Sequence, residues 1–236
     1  MKPIITISRI LQTASLTIAA GSMLTLMASA GSMTPDKDTE INDRPADMRA
    51  IYSIEDRAEA IAEGELVGNY AIVAARESIG KWPSVRATLA QKGTSVGELT
   101  QMDTRTHKLA LKLHDPRGLK RAANDVTGAL APLFGIVGEK IPADVHSLDY
   151  LGRSIGLDGS MGQWTRASHD AYALDRTWLH LKAIIAAKAN GGNVVLMFNK
   201  AVRQARDGAH DRNAKETQTG ANAVGNAVDA VEALYK

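Results

Sequence analysis

Cysteine is absent from the 236 residues. That excludes disulfides, a lipobox for acylation, the C-x-x-C-H attachment of c-type haem and every thiolate metal site. Aromatic residues make up only 4% of the chain, too few for the stacking platforms of a nucleic-acid groove. A basic stripe is missing as well. The 28 Lys+Arg stand against 26 Asp+Glu, and Lys2 and Arg9 both lie in the first thirty residues, so the rest of the chain balances at 26 and 26. No nucleic-acid partner is expected. No alternating strand pattern occurs, and Walker A, G-x-G-x-x-G and H-E-x-x-H motifs are all missing.

What is present starts at the N-terminus. Met1 to Ala30 carries two bases and no acid, and an apolar run from Ile10 to Met27 ends in Ala28-Ser29-Ala30. A basic start, an apolar middle and a small-x-small end are what signal peptidase reads. Residues 1–30 are therefore expected to be a signal peptide, and the mature protein periplasmic or secreted from a bacterium. The competing reading is an uncleaved anchor over residues 10–30 that holds the protein at the inner membrane, its only expected membrane contact. Gln12, Thr13, Ser15, Thr17, Ser22 and Thr25 dilute the run and argue for the cleaved form.

Residues 31–47 carry acids and two prolines without an apolar period, and read as an acidic flexible linker. Asp36, Asp38, Glu40 and Asp47 imitate part of a calcium loop, but Ile41 stands where its sharp turn needs glycine.

From Met48 onward the apolar spacing is helical. Met48, Ile51, Ile54, Ala58 and Ile61 form a stripe that stops at Gly64, and Leu66 to Ile79 continues to Gly80. Trp82-Pro83 reads as the start of a separate short piece. Ser95 and Glu98 have capping-box spacing, and so do Ser160 and Gln163. Pro132 predicts a kink or break in the segment Leu119–Val137, because proline lacks the N–H and crowds the preceding turn. Val145, Leu148, Leu151 and Ile155 mark one helix; Trp164, Leu174, Trp178, Leu181 and Ile185 mark the longest. Val194–Arg206 makes another. Ala221, Val224, Val228, Val231 and Tyr235 share a seam on a final docked helix. The fold class is all-α: an antiparallel bundle of about seven to eight helices over residues 48–236, after the signal peptide, with candidate halves 48–140 and 141–236.

The block Asp144-Val145-His146-Ser147-Leu148-Asp149-Tyr150-Leu151-Gly152-Arg153, with Trp178 and Gly191-Gly192 beyond it, resembles exported bacterial all-helical proteins of unassigned function. The likeness covers about the last hundred residues. It implies a periplasmic bundle and lends no catalytic residue.

In that block His146 and Asp149 stand three apart on one helix face, with Tyr150 and Arg153 as neighbours. This i, i+3 pairing is how carboxylate bundles converge two ligands on one ion. His146, Asp149, Tyr150 and Arg153 are thus the candidate ligand-binding residues, and His146 with Asp149 the candidate ligands of a divalent metal. The plain alternative is an Asp149–Arg153 ion pair beside a surface histidine. His107 with His114, and His169 with His180, fall off the apolar stripes and read as solvated.

Gly152-Arg153-Ser154-Ile155-Gly156 matches G-x-S-x-G, and Asp170 or Asp175 and then His180 follow in hydrolase order. The motif needs a strand-to-helix elbow, whereas the spacing here is helical, so glycines at a close helix contact compete with a Ser154 nucleophile. The leading functional reading is a non-enzymatic exported bundle that binds a metal ion or small ligand. An interaction module with a protein partner in the cell envelope is the second reading, and a serine hydrolase using Ser154 the third.

N-terminal sequencing of periplasmic material is expected to find the mature chain starting at Gly31. Membrane-bound protein that begins at Met1 would show that the leader is retained.

Overall fold

The computed structural model describes residues 44–235, and these contain eight α-helices and no strand. The expected signal peptide, most of the linker and the acids Asp36, Asp38 and Glu40 lie outside the described residues. No helix among the described residues is long and apolar enough to cross a membrane.

Helix α1 (Ala46–Glu63) starts two residues inside the stretch read as linker. Asp47 sits in its first turn, where a carboxylate complements the helix N-terminus, and pairs with Lys92 rather than completing a calcium loop. Gly64, at φ 88°, ends α1 with its N–H on the Ala60 carbonyl.

Helix α2 (Asn69–Gln91) runs straight through Gly80 and Pro83, so the expected break there does not occur. Trp82 explains this. It is 3% exposed, and its indole N–H donates at 2.7 Å to Asp103 on α3 (Val96–Leu111). Packing on both sides outweighs the one backbone hydrogen bond that proline removes. Pro132 is carried through α4 (Pro116–Ile136) in the same way, between buried Leu130, Ala131, Leu133 and Phe134.

Side-chain caps start three of the helices. Ser95 and Glu98 form the expected capping box of α3, Asp115 caps Gly118 on α4, and Asn213 caps Glu216 on α8 (Ala214–Glu232). The box expected at Ser160–Gln163 does not form. The Ser160 hydroxyl instead donates back to the Leu157 carbonyl of α5 (Ala143–Ser160), and the chain turns at Gly162, φ 68°. Helix α6 (Trp164–Ala186) ends short of Gly191-Gly192, where α7 (Gly191–His210) already starts.

Buried apolar residues form two clusters, one from Met48 to Val137 on α1–α4 and one from Ile141 to Val231 on α5–α8. Packing passes from α1 to α4, from α4 to α5, and from α5 to α6 and α8. At the α4–α5 seam Arg121, 8% exposed, reaches Asp125 at 3.3 Å, Asp158 of α5 at 3.0 Å and Asp170 of α6 at 3.5 Å.

Helix α5 meets α8 through glycine. A Cβ on Gly152 would lie 2.7 Å from Val224, one on Gly156 3.0 Å from Ala221, and one on Gly159 2.7 Å from Thr217. Gly220 lets α8 approach α7 equally closely, since a Cβ there would meet the Ala205 backbone at 2.4 Å. The glycines of the G-x-S-x-G match are thus helix contacts.

Trp178 is the largest fully buried side chain, stacked on Phe198 at 4.2 Å with its indole N–H on Asn199. Trp178→Ala is expected to cost about 3–5 kcal/mol in chemical denaturation. An unchanged midpoint would remove it from the core.

Candidate functional site

A cleft of about 850 Å³ opens between α1, α5 and α8. Helices α1 and α8 share no extensive packing, so their facing sides become its walls and α5 its floor. The α1 wall presents Tyr52, Glu55, Asp56, Glu59 and Glu63. The floor presents His146, Asp149 and Arg153, and the α8 wall Gln218, Asn222, Asn226, Asp229 and Glu232.

Three of the four residues expected from the sequence meet here: His146, Asp149 and Arg153. Tyr150 does not. Its ring lies against Gly128 of α4, where an added Cβ would come within 2.7 Å of it. Residue 150 is four positions from 146 and three from 153, yet α4 covers that flank of α5 and takes the ring into the seam.

Arg153 is the centre of the floor. Its guanidinium lies 2.6 Å from Asp149, 2.6 Å from Glu59 and 3.3 Å from Glu63, so it ties α5 to α1. Its remaining N–H groups donate to Asn124 at 3.1 Å and Thr127 at 3.5 Å on α4. The expected Asp149–Arg153 pair is present.

His146 is buried at 6% exposure, not at the surface as the plain alternative had it. Its ring stacks on Phe134 at 4.0 Å and meets Tyr52 edge-on at 6.3 Å. Its Nδ1 lies 3.3 Å from Glu55, and its buried Nε2 has no hydrogen-bond partner. Tyr52 donates to Glu139 at 2.7 Å, and Arg44 reaches the same carboxylate at 2.9 Å while lying over the Tyr52 ring.

The two residues expected as a metal pair each have another partner in the fold. His146 faces Glu55 and Asp149 faces Arg153, so an ion between them would have to displace a guanidinium. Among the described residues no group of three or more His, Asp or Glu side chains could hold a metal ion. His107, His114, His169 and His180 are exposed, as solvated residues should be.

Ser154 lies fully buried inside α5 and accepts a hydrogen bond from Asn124 at 2.9 Å. Asp170 belongs to the Arg121 cluster, and His180 is exposed on α6. A buried mid-helix hydroxyl without an elbow or a base lacks what G-x-S-x-G chemistry requires.

The cleft's electrostatics follow from crowding. Seven carboxylates line it, against Arg44, Lys120 and Arg153. Burial pushes the Glu59 carboxyl up to about 8; Arg153 opposes this, while Asp149, Glu55 and Glu63 add to it. Burial raises Glu232 to about 7, with His146 opposing and Asp149, Glu55 and Asp229 reinforcing. Asp149 is raised by burial against the pull of Arg153. For His146 burial works downward, but Glu55, Glu232 and Glu139 outweigh it and raise the imidazole above its ordinary value.

Two rows of polar residues in this cleft were missed in the sequence: Glu55, Glu59 and Glu63 on α1, and Gln218, Asn222 and Asn226 on α8. Each repeats every fourth residue, a spacing that keeps side chains on one helix face. That was the signal available.

No family model matches the chain, and no curated protein or solved structure is significantly similar to it.

Raised carboxyls bind more protons folded than unfolded, so each costs stability as pH rises from about 4.5 to its folded value. The raised imidazole acts in the same direction: its stabilising contribution is complete below about 6.5 and lost as pH rises through its folded value. The thermal midpoint of the free protein is therefore expected to fall between pH 5.5 and pH 8.5, and to fall less steeply in Glu59→Gln. A midpoint that holds or rises over that range would contradict the crowding.

Proposed function

We propose that the chain is an exported, non-enzymatic helical-bundle protein that binds a small cationic organic ligand in the α1–α5–α8 cleft. The observation that carries this reading is an acidic cleft, seven carboxylates to three permanent cations, with the partnerless Nε2 of buried His146 among its lining groups. Carboxylates buried in a groove, with like charges beside them, are unfavourable until an opposite charge enters, and both Glu59 and Glu232 carry that strain as raised proton affinity, chiefly through burial. A cation relieves it by taking the place of bound protons.

Export is supported by Lys2, Arg9, the apolar run Ile10–Met27 and Ala28-Ser29-Ala30. A binding role is favoured over hydrolysis by the burial of Ser154, the one nucleophile that a sequence motif offered. An organic cation is favoured over a metal ion because the cleft's carboxylates are spread along a helix rather than converged on a point.

Thermal shift assays at matched ionic strength with small organic cations, zwitterions and anions test this. Cations should raise the midpoint, and a ligand at 100 times its Kd adds about 2.7 kcal/mol. The shift should shrink in Asp229→Asn/Glu232→Gln. Equal shifts from anions, or none from any cation, would defeat the reading.

A further inference from the structure

We infer that the ligand is a linear polyamine lying along the cleft, an inference that rests on the cationic-ligand reading above. The first observation is the carboxylate row. Glu55, Glu59 and Glu63 all line the α1 wall, and four residues advance about 6 Å along a helix. Two ammonium nitrogens joined by an extended chain of three or four methylenes stand about as far apart as neighbouring rungs of that row. The protein's own Arg153 shows that these carboxylates accept cations, since Glu59 and Glu63 already share its guanidinium with Asp149.

The second observation is the opposite wall. Gln218, Asn222 and Asn226 repeat with the same four-residue step, and Gln218 donates to the Asn222 side-chain carbonyl at 2.9 Å. Amide oxygens accept N–H bonds without adding charge. Opposite a row of carboxylates they give each nitrogen a second acceptor without deepening the repulsion. Leu157, Ala221, Gly225 and Val228 also line the cleft and offer methylenes an apolar strip between the polar rows.

The third observation is His146. Its side chain is more than nine-tenths buried, its Nδ1 is turned to Glu55, and its Nε2 has no partner. With the Nδ1 proton committed to a carboxylate, the neutral ring presents Nε2 as an acceptor. A terminal ammonium can donate there, replacing the imidazolium proton one charge for one. A compact monocation serves one rung only. A cleft of about 850 Å³ with three rungs and an imidazole acceptor among its lining groups suits a chain of spaced charges.

Calorimetric titration of the full chain with butylamine, putrescine, spermidine and spermine at constant ionic strength tests the inference. Spermidine should bind at least ten-fold tighter than butylamine, and heats measured in buffers of different ionisation enthalpy should reveal proton release. The exposed amides allow a variant that leaves the core untouched: Asn222→Ala/Asn226→Ala should weaken spermidine at least five-fold and butylamine less. Glu63→Gln should weaken spermidine as well. Equal affinity for the monoamine and the polyamines, spermidine binding unaltered in these variants, or tighter capture of a lysine-rich peptide would overturn the polyamine while leaving a cationic site. No binding by any of the amines would overturn both.

Discussion

One guanidinium gives the cleft its form. Arg153 rises from α5, is 11% exposed, and joins Asp149 on its own helix to Glu59 and Glu63 on α1. A buried charge is tolerable only when its partners are well placed and its remaining donors are met; Asn124 and Thr127 of α4 meet them. Three helices are thereby referred to one planar group. Without it, Glu59 and Glu63 of α1 would face Asp149 of α5 with no guanidinium between them. Arg121 does the matching work on the other side of the seam, where Asp125, Asp158 and Asp170 converge from α4, α5 and α6. The two apolar clusters are joined by ionic contacts as well as by α4 on α5, which accounts for carboxylates as buried as Asp158 in a chain whose charges balance beyond residue 30.

Much of the fold was legible in the sequence because helical signals are local. The α3 capping box, the stripe Val145–Leu148–Leu151–Ile155 and the burial of Trp178 all follow from spacing and side-chain chemistry within one element. The break expected at Gly80–Pro83 failed for the opposite reason, and α4 likewise is not interrupted at Pro132. Local rules charge a proline with one lost bond, and tertiary packing of Trp82 or Phe134 supplies more than that loss.

The site was half legible. One helix face correctly joined His146, Asp149 and Arg153, but a single helix cannot tell which neighbour covers which flank, so Tyr150 was assigned to the cleft and lies against Gly128. The same limit hid Glu55, which comes beside His146 only once α1 is in place, whereas the Asp149–Arg153 pair lies within α5 itself. The carboxylate row on α1 was visible as E-x-x-x-E-x-x-x-E, yet such a row on an amphipathic helix ordinarily faces solvent. What distinguishes it is the amide row on α8, which is distant in sequence and comes opposite only through folding.

The glycines between α5 and α8 set a dimension as well as a contact. Helix α8 uses one side for packing and another as the cleft wall, so its distance from α5 also sets the width of the groove. A methyl group at Gly152 would strike Val224 at 2.7 Å, while on the far side Gly220 already brings α8 against the Ala205 backbone. Any outward shift of α8 would therefore have to carry α7 with it, and Asn222 and Asn226 would retreat from α1 together. The calibre of the groove is thus written in buried residues that no ligand touches, where a single methyl could retune selectivity while every lining side chain stayed the same.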